Sequence, residues 1–150
     1  MSSGAVESKS VSGQKIVIKG RKVVGGTAEG EALVTRETIS GWGGVDPMTG
    51  TIIEIRHELH GQSFLGKVLV FPGAKGSSGW SSIFHIARLA KTAPVAMVFT
   101  TMTTKVALGA VAMRCPSVTD FDRDPFAVIE TGDWVKVDGD AGIVEVTKRR

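Results

Sequence analysis

Cysteine is nearly missing from this chain. Cys115 is the single one among 150 residues, so no disulfide can form within the chain. An iron–sulfur cluster or a structural zinc takes three or four ligands, mostly Cys and His, and the donors here are too few. Histidine is almost as scarce, with His57, His60 and His85 the three present. His57 and His60 sit three apart, a spacing that suits a ligand pair, but no further cluster joins them. Surface or interface histidines are the better reading, and any metal chemistry falls to another chain.

Long apolar runs are absent too. None approaches the ~20 residues that span a bilayer. Residues 1–14 are rich in Ser and Gly and lack the apolar stretch of a secretory signal, so they read as a flexible leader on a cytoplasmic protein. Charge of one sign does not accumulate: the formal charge is +3 and the basic residues are scattered. The basic run Lys148-Arg149-Arg150 is too short for a nucleic-acid footprint and reads as a frayed, solvated tail. With 42% hydrophobic and 22% charged residues, the composition is that of a soluble globular domain, and the length suits one domain over residues 15–147.

What is present is rich in strand signals. Residues 14–24 alternate and then run apolar, a first strand or hairpin arm punctuated by Gly25-Gly26 and Gly30. Residues 31–35 form a second strand, 51–55 a third and 67–71 a buried fourth. Between the second and third lies a long turn-forming loop over 40–50, with glycines and Asp46-Pro47 at its corners. Residues 80–91 carry apolar side chains at helical spacing. The buried run 94–99 follows, and the two strands flanking a helix predict a right-handed βαβ crossover. Residues 105–112 read as a short helix or an apolar strand, 116–120 as an extended piece, and 124–129 as a short helix with Pro at its first turn. Residues 133–140 and 142–146 are a hairpin. The sum is a β-rich α/β fold in a single domain.

One junction carries chemistry. Gly73-Ala74-Lys75-Gly76-Ser77-Ser78-Gly79 joins a buried strand to a helix start, where unpaired N–H groups and the positive end of the helix dipole favour a carboxylate or phosphate. Glycines let a ligand approach the backbone, Lys75 adds charge, and Ser77 and Ser78 add hydroxyls. The loop is not of the Gly-x-x-x-x-Gly-Lys-[Ser/Thr] type. An ordinary N-cap by Ser77 or Ser78 explains the same residues equally well.

Gly76-Ser77-Ser78 in this setting resembles the Gly-Ser-Ser motif of the swivelling domain of the aconitase superfamily. More specifically, Gly43-Gly44-Val45-Asp46-Pro47, Val70-Phe71-Pro72-Gly73-Ala74-Lys75-Gly76-Ser77-Ser78, Ala107-Leu108-Gly109-Ala110 and Gly132-Asp133-Trp134-Val135-Lys136-Val137-Asp138-Gly139 resemble, in that order, segments of the aconitase X small subunit. The resemblance implies a β-rich swivelling β/β/α domain and a role for Ser77 as the base that takes a proton next to a carboxylate. It makes Lys75, Gly76, Ser78, Gly43, Gly44 and Asp46 candidate substrate contacts. Aconitase proper follows its serines with Arg-Glu, whereas Gly79-Trp80 stands here, which argues against a tricarboxylate substrate.

The implied activity is that of a hydro-lyase working on a small carboxylate, cis-3-hydroxy-L-proline in the first place and phosphomevalonate as the alternative. Loss of the hydroxyl needs a Lewis acid. The resemblance assigns that to an iron–sulfur cluster on a large-subunit partner, with no nucleic-acid or membrane partner. Trp42 is a candidate for the mouth of the site, as are Thr100, Thr101, Thr103 and Thr104 after the second buried strand. Packing, a polar loop and, for Asp46, an Asx turn explain these residues as well, and His85 reads as structural. A noncatalytic anion-binding module remains open. A self-sufficient serine hydrolase does not fit, because no Gly-x-Ser-x-Gly elbow occurs.

Overall fold

The structure is a computed structural model that describes residues 14–75 and 80–149. The chain runs β1 (Lys15–Lys19), β2 (Arg21–Val24), β3 (Thr27–Val34), β4 (Ile39–Ser40), β5 (Val45–Asp46), β6 (Thr51–Ile52), β7 (Val68–Phe71), β8 (Ala74–Lys75), α1 (Trp80–Leu89), β9 (Ala96–Phe99), α2 (Thr104–Met113), β10 (Ser117–Thr119), α3 (Pro125–Val128), β11 (Trp134–Asp138) and β12 (Ile143–Thr147). The expected leader lies outside the described residues apart from Gln14. Among the described residues, no helix is long and apolar enough to cross a membrane.

Eight strands join in the order β1-β12-β11-β3-β7-β9-β10-β2. The two end strands are neighbours in the chain, separated by Gly20 alone, so the sheet curls until its edges meet there. Gly20 donates its N–H to Gly142 O at 2.7 Å. A side chain at Gly20 would stand 2.4 Å from Thr119 O, so only glycine passes between the two edges. The predicted single strand over 14–24 is thus divided at this corner: β1 pairs with β12 and β2 with β10. Gly30 does not interrupt its strand either; it lies inside β3, opposite Val135 of β11.

Side chains alternate across each strand, and the curled sheet sorts them into two cores. Ala32, Val68, Val70, Ala96 and Val98 point inward, where they meet Ile18, Val135, Val137, Val144 and Val146. Leu33, Leu69, Phe71, Met97 and Phe99 point outward against α1, α2 and the 39–64 segment. β7 and β9 are buried along their whole length, which explains why they read as unbroken apolar runs. Strands β3, β7, β9 and β10 are mutually parallel. With α1 between β7 and β9, the expected βαβ unit is present.

Helix α1 buries Trp80, Ile83, Phe84 and Ala87, and α2 buries Val106, Gly109, Ala110 and Met113. Each set follows the i, i+3, i+4, i+7 spacing of one helical face, so 105–112 is helical. Thr103 caps α2, its hydroxyl accepting from Val106 N at 3.3 Å. Asp124 caps α3 with Pro125 at the first position. The 133–146 hairpin forms as expected, with Asp138 opposite Ile143.

Two further segments depart from the sequence reading. Only Thr51–Ile52 of 51–55 is strand, paired with Val45–Asp46 in a two-stranded ribbon. After Ile53 N bonds Gly44 O, the chain turns at Glu54, whose carbonyl takes the His57 N–H. Lys148 and Arg149 of the basic tail are also not free in solvent, and Arg150 lies outside the described residues. Lys148 Nζ bonds Val128 O at 2.8 Å and Asp133 Oδ2 at 2.5 Å. Arg149 lies over the Trp134 ring at 4.9 Å.

Candidate functional site

Parallel strands open their C-terminal ends on one edge of the sheet, where α/β domains place ligands. Four connections gather there in this chain, after β3, β7, β9 and β10. A short parallel ladder, β4 on β8, extends the edge and pairs Ile39 with Ala74 and Ser40 with Lys75. Because the pairing is parallel, the two chains leave it in the same direction. One leads into Gly41-Trp42-Gly43-Gly44 and the other towards Gly76 and Ser77. The first and second resemblance blocks, some thirty positions apart in the chain, are thereby brought side by side.

Ser77, Ser78 and Gly76 lie outside the described residues; the side chains on either side of them do not. Lys75 Nζ sits 2.6 Å from Glu54 Oε2, so its charge is matched by a carboxylate of this chain. The other oxygen of Glu54, Oε1, is buried and has no hydrogen-bond partner. Trp80, the first residue of α1, is buried and donates its indole N–H to Ile39 O at 2.7 Å. It packs against Phe84 at a tilt, with ring centroids 4.2 Å apart. Trp80, the second residue after the serines, is therefore a packing anchor. Gly109 serves the same anchor: a methyl group there would stand 2.1 Å from Trp80 Cζ3. That gives the Ala107-Leu108-Gly109-Ala110 block a structural meaning.

The first turn of α1 carries no acidic residue, so nothing there offsets the positive end of its dipole. Thr101 N donates to Pro72 O at 2.8 Å, and Thr100 and Thr101 thus border the Pro72-Gly73 corner. Thr103 is spent on capping and Thr104 is exposed.

The remaining candidates are chiefly builders of turns. Gly43 has φ +79°, and a side chain at Gly44 would stand 2.4 Å from Ser40 O. Asp46 Oδ1 accepts from Met48 N at 3.0 Å, the Asx turn foreseen as the alternative. Trp42 is exposed, while His85 faces a groove between α1 and α2 of about 450 Å³, lined also by Ser81, Ser82, Ile86 and Leu108.

An iron–sulfur cluster does not fit the residues of this chain. Cys115 is buried, and that burial pushes its thiol up to about 11, against the deprotonation a ligand requires. Both ring nitrogens of His57 are engaged: Nδ1 accepts from Leu59 N at 3.0 Å, and Nε2 lies 3.2 Å from Thr38 O.

The sequence reading missed Glu54 and the β4 strand. Glu54 is a lone charge in the apolar run Ile52-Ile53-Glu54-Ile55, a signal that was available. β4 has two residues, too few to show a period.

Comparison with known proteins adds what the geometry alone does not give. Residues 17–146 match the aconitase X swivel domain. The chain belongs to the aconitase X swivel-domain family. Its fold superposes on the crystal structure of Thermococcus kodakaraensis aconitase X (holo-form) with a TM-score of 0.83 at 41% identity, over 89% of this chain and 99% of that one. It is 44% identical to the phosphomevalonate dehydratase small subunit of Methanocella arvoryzae over 87% of this chain and 98% of that protein. It is 40% identical to the one of Methanosarcina mazei over 89% and 93%. The expected β-rich swivelling fold and family are thus confirmed. The first-placed substrate, cis-3-hydroxy-L-proline, finds no support, because the relatives are named for phosphomevalonate, the alternative.

Proposed function

We propose that this aconitase-X-type chain is the small subunit of a phosphomevalonate dehydratase, a hydro-lyase completed by a large subunit. The observation that carries this reading is the near end-to-end match to small subunits of that name. Dehydration of phosphomevalonate removes a proton beside the carboxylate and a hydroxyl one carbon further on, chemistry that a serine base at the sheet edge suits.

In this reading Ser77 takes the proton. A serine hydroxyl is a weak base in water, and its ionised form needs positive surroundings. The uncompensated start of α1 supplies backbone dipole. The Lys75–Glu54 pair adds little net charge, which leaves the amides of the junction as the principal stabilisers, with Ser78 and Gly76 contacting the substrate. The iron–sulfur cluster belongs to the large subunit, since this chain has no donor set for it. A bare anion-binding module would use the same helix start without turnover.

The test is an assay of the co-expressed pair on phosphomevalonate and on cis-3-hydroxy-L-proline. Dehydration of phosphomevalonate alone, with the small chain inactive by itself, is expected. Turnover of hydroxyproline, or activity of the isolated chain, would overturn the reading.

A further inference from the structure

Most of the chain's large apolar side chains are buried, yet three stand in solvent beside the β4–β8 ladder. Trp42 is 65% exposed, Ile53 43% and Ile55 83%. Backbone bonds hold the Trp42 turn against Ile53. The Gly41-Trp42-Gly43-Gly44 turn closes on itself through Gly44 N and Val45 N to Gly41 O at 3.2 and 3.1 Å, and Ile53 N bonds Gly44 O at 2.9 Å. Glu54, between the two isoleucines, reaches Lys75, which lies two residues before Ser77.

Solvated tryptophan is unfavourable, and tryptophan is among the residues most enriched where one protein grips another. The surface also adjoins a candidate site that this chain cannot complete. We propose that Trp42, Ile53 and Ile55 form the docking surface for the large subunit, Trp42 being its anchor. This rests on the functional reading above, which requires the partner to meet the small chain beside Ser77; a partner seated on the ladder satisfies that without rearrangement of the sheet edge. The Gly43-Gly44 turn then has a purpose beyond shape. It projects Trp42 outward, since neither glycine carries a side chain to shield it.

The experiment measures the dissociation constant of the co-expressed, full-length pair by dilution, using Trp42→Ala, Ile55→Asp and, in the groove between α1 and α2, Leu108→Asp. All three residues are exposed, and each variant chain is first checked for unchanged melting. Trp42→Ala is expected to weaken the pair about thirtyfold, in the range of interface hot spots, Ile55→Asp at least about tenfold, and Leu108→Asp not at all. Wild-type affinity for both patch variants, or dissociation caused by Leu108→Asp instead, overturns the proposal. So does a self-association of the isolated chain that Trp42→Ala abolishes. Association and substrate are read separately: a pair that assembles through this patch but leaves phosphomevalonate untouched refutes the function and not the surface.

Discussion

Replacing Gly109 with alanine opposes helix propensity to packing at the residue that starts α1. In an open helix interior the change would gain about 1 kcal/mol. Here the new methyl would stand 2.1 Å from Cζ3 and 2.4 Å from Cε3 of Trp80, whereas carbon contacts settle near about 3.5–4.0 Å. The indole must therefore move by more than a bond's thickness, and it has little room. Phe84 packs against it at 4.2 Å and Phe71 at 6.1 Å between ring centroids, and its N–H is tied to Ile39 O. Overpacking of this kind costs about 1–3 kcal/mol. Pulling the indole from Ile39 leaves two buried polar groups unpaired, about 1–3 kcal/mol more. After the propensity gain, a net loss of about 1–5 kcal/mol is expected, which lowers the melting temperature by roughly 3–15 °C for a chain of this size. Urea unfolding measures it. A cycle with Trp80→Leu isolates the clash, because the alanine should cost at least about 1 kcal/mol less where the indole is gone. If Gly109→Ala stabilises the chain, or costs the same in both backgrounds, the packing argument is wrong.

Three further outcomes follow from individual contacts. Lys148 is largely buried against Asp133, which is 2% exposed; Lys148→Met strips a charged partner from a buried carboxylate and should cost about 2 kcal/mol in urea unfolding, below the full value for a buried pair because the lysine keeps some solvent. Burial alone would lower the Lys148 value, but the bonds to Asp133 and Glu130 outweigh it and hold it above its ordinary value. Its stabilisation is therefore full below the unfolded value of about 10.4 and disappears as pH climbs through the higher folded one, so the wild-type urea midpoint should fall more steeply above that pH than the variant's. Glu58 is held below the ordinary carboxylate range by the Thr35 hydroxyl and the Arg36 N–H. That contribution is present above about pH 4.3 and lost as pH falls through the lowered folded value, and Glu58→Gln should flatten the acid limb of a urea-midpoint profile. Cys115, with its thiol at about 11, should resist a disulfide reagent at pH 8 in the native chain and react at once in urea.

How much of this was legible in the residues depended on the range of the interactions. β7 and β9 announced themselves because burial on both faces leaves an unbroken apolar run, and the β11–β12 hairpin because its turn is glycine-rich. α2 stayed ambiguous in sequence, since its small residues fit either period; the i, i+3, i+4, i+7 stripe ending at Met113 decides it. Long-range events were not legible. Nothing local marks Gly20 as the point where a sheet closes, or Lys148 as the partner of a buried Asp133, because both depend on chain segments far away in sequence. The candidate site divides the same way. The Ser77 junction and its likeness to a known motif could be read directly. The β4–β8 ladder that sets Ser40 beside Lys75, the engagement of Lys75 by Glu54, and the burial of Trp80 required the folded chain.

The account stands or falls with the hydroxyl of Ser77. Turnover of phosphomevalonate should be compared between the large subunit paired with the wild-type chain and the same subunit paired with Ser77→Ala, at equal assembly. Removing a general base is expected to lower kcat by at least about 100-fold with the pair still formed. A variant pair that dehydrates phosphomevalonate at the wild-type rate would contradict the central claim.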